Sequence, residues 1–212
     1  FIVAPNHASH IDTGLVKTAL GKAVAEQTVA VAAADYWFDT KYKRAYMNNF
    51  TTLVPIERTG SLRQSLRHVT RILNEGYNAL IFPEGTRSLT GEIAEFKPVI
   101  GYLALNQKIG ILPIQLWGTF EAYPKGMTIP AKQSIGAKIG ARIGKFLSYE
   151  ELRDMTKGVP NTEAYRLIAA RVQHEVENMR DGRRDKFDVV SVRKAWKAER
   201  RKVRKPEPMI DE

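Results

Sequence analysis

The chain has 212 residues, 43% hydrophobic and 26% charged, which excludes wholesale disorder and a collagen-like repeat and leaves room for one sizeable α/β domain. Lys and Arg outnumber Asp and Glu by 33 to 23, and the resulting charge of +10 favours anionic partners: phosphorylated substrates, acidic carrier proteins, membrane surfaces or nucleic acid. The absence of cysteine rules out a disulfide scaffold, a Cys nucleophile and a thiolate metal site, and makes a reducing compartment the simpler expectation.

The chain opens inside an apolar run, Phe1 to Ala4, with neither Met nor the basic start of a signal peptide, as expected of a piece of something longer. That run reads as a buried strand, and so do Thr28–Ala33, Thr52–Ile56, Asn78–Phe82 and Gly110–Leu116. Between them, Asp12–Ala25 reads as a helix. Ser61–Glu75 is a clearer one: Leu62, Leu66, Val69, Ile72 and Leu73 share a face, Ser61 is placed to cap it and Gly76 to stop it. Strands alternating with helices predict an α/β fold on a mostly parallel sheet. Ile135–Phe146, with glycines at 136, 140 and 144, predicts a bent edge strand or hairpin. Thr162–Met179 predicts an amphipathic helix, and Asp181-Gly182 a break after it. From Arg180 to Lys205 there are 12 basic residues and 4 acidic ones, a basic helical tail that is either solvated or in electrostatic contact with anionic lipid or an acidic partner. The expected division is therefore a domain over 1–179 and a basic extension over 180–212. No run approaches the roughly 18–20 apolar residues of a membrane span.

Chemistry concentrates after the strands, where open α/β sheets bind their ligands. His7 follows the first strand, and Asp12 lies five residues on, at a helix start. If the loop folds back, the carboxylate orients the imidazole and leaves its other nitrogen free to take a proton from a hydroxyl. The spacing alone also fits an ordinary loop His with a helix-capping Asp. Ser9 lacks the glycine-flanked elbow of a serine nucleophile, and His7 with His10 lacks a third metal ligand. His68 and His174 fall on expected helices. At the end of another strand, Phe82-Pro83-Glu84-Gly85-Thr86-Arg87-Ser88 gathers amides, a hydroxyl and a guanidinium in a tight turn, a combination suited to a phosphate, without the spacing of a nucleotide-binding Walker loop. Arg58, in Pro55-Ile56-Glu57-Arg58, adds a further cation after a third strand.

These blocks together resemble the glycerolipid acyltransferases, the family of lysophosphatidic acid acyltransferase. Asn6-His7-x-Ser9-x-x-Asp12 resembles the family's His-x4-Asp block, and residues 82–88 its acceptor-binding block. Pro55-Ile56-x-Arg58 is similar to the intermediate block, and Ile111-Leu112-Pro113-Ile114 to the later proline-containing strand. The likeness covers roughly residues 1–120.

The resemblance implies the fold of that family, with His7 as general base and Asp12 orienting it. Arg58, Glu84, Gly85, Thr86 and Arg87 would shape the acceptor site and bind its phosphate, and Pro113 would be structural. The donor would be acyl-CoA or acyl carrier protein and the acceptor a phosphorylated lysolipid, foremost 1-acylglycerol 3-phosphate. Glycerol 3-phosphate, another lysolipid, or an inactive membrane-recruitment role are the alternatives. The resemblance implies no metal or redox cofactor, and nucleic acid is not an expected partner. Lys97 is a further candidate, although Pro98 departs from the family's small or glycine-rich continuation. The expected location is the cytoplasmic face of a membrane, held peripherally. Tyr36, Trp37 and Phe38, with Lys41, Lys43 and Arg44 behind them, have the composition of an interfacial segment as well as of a packing helix.

Overall fold

The structure, a computed structural model, describes residues 1–33, 53–56, 62–126, 136 and 138–203. Arg58 and the segment from Tyr36 to Arg44 lie outside the described residues. In chain order the elements are β1 (Ile2–Pro5), α1 (Asp12–Leu20), α2 (Lys22–Glu26), β2 (Thr28–Ala33), β3 (Leu53–Ile56), α3 (Leu62–Asn74) and β4 (Asn78–Leu80). They continue with α4 (Val99–Gln107), β5 (Ile111–Trp117), α5 (Thr119–Ala122), β6 (Gly140–Ile143), α6 (Tyr149–Met155), α7 (Asn161–Asp181) and α8 (Val189–Val203).

The strands line up as β3-β2-β4-β1-β5-β6, parallel except for β6, which runs antiparallel along β5. The α/β reading therefore holds, and the glycine-spaced stretch supplies the edge strand. Parallel strands need cover on both faces, and β1 is built for it. Ile2 and Ala4 face one core with α3, α4, α6 and α7, whereas Val3 faces another with Val16 of α1. All three are fully buried. Pro55 falls in the edge strand β3, where a missing N–H is tolerated. Pro113 sits in the interior strand β5, and its carbonyl accepts from the amide of Gly144, just past β6.

The register of β1 against its neighbours builds the site. Ile2 and Val3 pair with Ala79 and Leu80, and Ala4 and Pro5 with Pro113 and Ile114. Because these strands are parallel, the chain leaves all three at one edge of the sheet.

Two readings change. The helix read over Asp12–Ala25 breaks at Gly21, whose φ of +74° ends α1 and starts the short α2. α4 was not anticipated because Val99 to Leu105 are apolar without interruption, so no amphipathic period marks it. It is wedged between the sheet and α7, and Gly101 makes that approach possible: a Cβ there would stand 2.3 Å from the carbonyl oxygen of Tyr165. The basic C-terminal stretch forms the expected helix, α8, and it packs on α7. Asp188 Oδ1 caps α8 by accepting from the amide of Val190, Arg193 bonds Glu163 at 2.6 Å, and the Arg166 guanidinium lies 4.4 Å from the Trp196 ring.

Since the obstacle at Gly101 is backbone, it cannot rotate away. Gly101→Ala should destabilise the fold by about 2–3 kcal/mol, read as a lower urea midpoint. An unchanged midpoint would mean that α4 and α7 are less tightly apposed.

Candidate active site

The loop leaving β1 is wound around one carboxylate oxygen. Asp12, the first residue of α1, is fully buried, and its Oδ2 lies 2.8 Å from His7 Nδ1. The same oxygen accepts the backbone N–H groups of Ala8 at 2.7 Å and Ser9 at 2.8 Å. An oxygen already accepting two amides is an acceptor toward the imidazole as well, so Nδ1 carries the hydrogen and Nε2 keeps its lone pair. The opening of α1 also favours negative charge at this spot.

His7 is held on its other sides too. Its ring stacks on Phe82, with centroids 3.8 Å apart and planes 21° from parallel. Its N–H donates to Glu84 Oε1 at 2.7 Å, and its carbonyl accepts from the Ser88 amide at 2.8 Å. The offset of 77 residues that pairs Val3 with Leu80 is the same one that sets His7 opposite Glu84. Burial lowers the pKa of His7 below the ordinary imidazole value. The Asp12 bond and charge oppose that shift, while the charges of Arg87 and Lys125 reinforce it. The ring is thus neutral, a base, at neutral pH.

The other candidates take distinct places. Glu84 is 3% exposed, and its second oxygen accepts from the Ala94 amide at 2.9 Å. It therefore shapes the site from behind rather than facing solvent. Burial pushes its carboxyl up to about 7; the two amides oppose that rise and the Asp12 charge adds to it. Gly85 ends the turn that follows β4, its N–H bonded to Phe82 O, with a φ of +76° that a side chain would strain. Thr86 is exposed and Arg87 half-buried. The exposed Lys97 is tied by its backbone N–H to Pro83 O, and Pro98 caps the start of α4.

Asn6 fastens the loop to β5: its Oδ1 accepts from Leu116 N at 2.7 Å, and its Nδ2 donates to Leu116 O at 3.1 Å. Ser9 is fully buried and donates its hydroxyl to Tyr123 O at 2.6 Å, a structural bond in place of any nucleophilic role. His10 packs beside Tyr123. His68 lies on α3, and His174 on α7 meets Asp185 O. Lys125, which the sequence reading passed over, reaches Thr86 Oγ1 at 3.2 Å. No motif announces it; only folding brings it to the site.

A sheet edge that carries an oriented, neutral histidine within reach of the charges of Arg87 and Lys125 is suited to taking a proton from a hydroxyl near an anion. Comparison with known proteins narrows that chemistry. A family model described as Acyltransferase matches residues 1–117, more than half of the chain. The 1-acyl-sn-glycerol-3-phosphate acyltransferase of Cocos nucifera is 29% identical over 121 residues, 57% of this chain and 38% of that protein. The enzyme of the same name from Limnanthes douglasii is 32% identical over 128 residues, covering 59% and 43%. The crystal structure of the 1-acyl-sn-glycerophosphate acyltransferase PlsC from Thermotoga maritima superposes with a TM-score of 0.61 over 88% of this chain and 68% of that one, at 24% identity. That likeness is one of fold. The chain belongs to the Acyltransferase family, and it spans about two fifths of the length of these two plant relatives.

The buried acid gives a stability test. Between the ordinary 4.5 and about 7, folded Glu84 holds a proton that the unfolded chain has lost, so its contribution declines as pH rises through that window. Glu84→Gln should remove this decline, up to about 3 kcal/mol between pH 4.5 and 8. Urea midpoints of both proteins across that range check it, and parallel curves would refute it.

Proposed function

We propose that this chain transfers a fatty acyl group from an acyl thioester, carried by coenzyme A or an acyl carrier protein, to the free hydroxyl of 1-acylglycerol 3-phosphate, giving phosphatidic acid. The observation that carries the reading is the His7–Asp12 pair, with Nε2 unprotonated beside the block from Glu84 to Arg87. The names of the relatives supply the acceptor.

In this mechanism Nε2 of His7 removes the proton of the acceptor hydroxyl as its oxygen attacks the thioester carbonyl. The C–O bond forms, the tetrahedral intermediate collapses, and the C–S bond breaks. The departing thiolate recovers the proton from Nε2, so the free thiol leaves and the base is restored. Asp12 holds the ring and stabilises the transient imidazolium, and the general-base assistance by His7 is worth typically ~10²–10⁴-fold in rate. Arg87, with Arg58 and the turn at Gly85 and Thr86, binds the phosphate; Glu84 fixes the height of His7. The chemistry needs no enzyme-bound acyl intermediate.

We assign the catalytic domain to residues 1–179 and a membrane-facing role to the basic extension over 180–212. Among the described residues no helix is long and apolar enough to cross a membrane. The reading is of peripheral attachment by this stretch to an anionic cytoplasmic surface. The net charge of +10 supports it.

Because the chain has no cysteine, a thiol-reactive dye reads released coenzyme A without protein background. With long-chain acyl-CoA and liposomes, thiol release should require lysophosphatidic acid and fall ~10²–10⁴-fold in His7→Ala. Full activity in a folded His7→Ala protein would overturn the mechanism, and silence in the folded parent would favour a non-catalytic recruitment domain. Arg87→Ala should raise the acceptor KM about tenfold or more while leaving that of the donor. Equal rises would remove Arg87 from the phosphate site. The kcat/KM profile should lose activity on the acid side, with its midpoint below the ordinary imidazole value.

A further inference from the structure

The stretch from Gly118 to Gly126 follows β5 and matches no part of the chemistry read from the sequence. It nevertheless forms a third wall of the site. Gly118 turns it with a φ of +73°, where a Cβ would stand 2.1 Å from the carbonyl oxygen of Lys138. The Phe120 ring packs under Gly91, in the loop beyond Arg87, at 3.1 Å from where a Cβ would be. Ser9 holds the far end, through its hydroxyl to Tyr123 O and an antiparallel bridge to Pro124. Lys125 comes next. The backbone just before it is thus anchored by the residue two places after His7, and its side chain ends on Thr86, the neighbour of Arg87.

We infer that Lys125 is the second cation of the acceptor's phosphate site, and that with Arg87 it selects a phosphomonoester over a phosphodiester. Three observations carry this. The ammonium group is exposed and meets a hydroxyl rather than a carboxylate among the described residues, so its charge is available. The contact with Thr86 places it beside the turn of the acceptor block. The charges of Arg87 and Lys125 both lower the pKa of His7, so the two cations lie on the same side of the site as the imidazole. A phosphomonoester carries close to two negative charges at neutral pH and a phosphodiester only one. A second cation therefore favours the monoester, whereas a lone arginine discriminates less. The inference rests on the acyl-transfer reading for its acceptor, but it concerns binding and can fail separately.

The test compares the parent chain with Lys125→Gln and Lys125→Arg, using water-soluble short-chain lysophosphatidate and lysophosphatidylglycerol as monoester and diester acceptors. Lys125→Gln should raise the lysophosphatidate KM about tenfold, with kcat and the diester KM within about threefold, so that the preference collapses. The acid limb of kcat/KM should move to higher pH, since a cation that depresses the pKa of His7 is gone; Lys125→Arg should restore both. Calorimetric binding of the same two lipids to His7→Ala, with and without Lys125→Gln, reads the site without catalysis. Thiol release independent of His7, together with Lys125-dependent monoester binding, would sink the general-base reading and keep this one. His7-dependent transfer with monoester and diester affected alike, or neither affected, would overturn the assignment of Lys125. Binding of the monoester unchanged by Lys125→Gln would do the same.

Discussion

Oδ2 of Asp12 is the atom on which the site depends. By accepting from two consecutive amides it gives the loop after β1 its shape, and by accepting from Nδ1 it decides which imidazole nitrogen is left to work. These tasks cannot be separated, because one oxygen performs them. Were the carboxylate absent, two buried amides would lose their acceptor at about 1–3 kcal/mol each, and the ring would lose its orientation at the same time. The imidazole is therefore ordered without any bound substrate, which on the proposed mechanism is where positioning contributes most to rate.

A second buried carboxylate supports the same loop from the neighbouring strand. Glu84 joins His7 to Ala94, so the two ligand-facing loops are laced together through its two oxygens. The proximity of two acids has a cost: the Asp12 charge adds to the burial that pushes Glu84 up to about 7. The arrangement thus keeps one carboxylate in a web of three donors and the other near the balance between its charged and neutral forms. Phe82 completes the enclosure by covering a face of the imidazole.

Much of this was legible in the sequence, for identifiable reasons. The five parallel strands announce themselves because burial on both faces makes them continuously apolar, as Ile2, Val3 and Ala4 are. His7 and Asp12 were legible because their contact is local, five residues apart. α7 was legible within a residue or two at each end because its buried residues recur every three or four positions. α4 was not, because Val99 to Leu105 are apolar without interruption and leave no polar position to mark a period. Nor was Lys125, whose partner Thr86 is 39 residues away and meets it only through the packing of the post-β5 segment. The buried role of Glu84 was hidden for a similar reason: a motif lists which residues are present, not which way each one faces.

The offset of 77 residues shared by the β1–β4 pairing and the His7–Glu84 bond has a consequence for how such a chain can change. Backbone pairing, not the intervening sequence, sets the two loops against each other. Outside the loop from His7 to Asp12 and the strand β2, which itself pairs with β4, the length of the connection from β1 to β4 is therefore not fixed by this contact. The ladder itself has no such freedom. A slip of two residues would leave every apolar side chain on its proper face, yet carry the carboxylate about 7 Å from its amide. Such a sheet would pass for well packed and be chemically inert, so the site acts as a gauge of strand registration that the hydrophobic core does not provide.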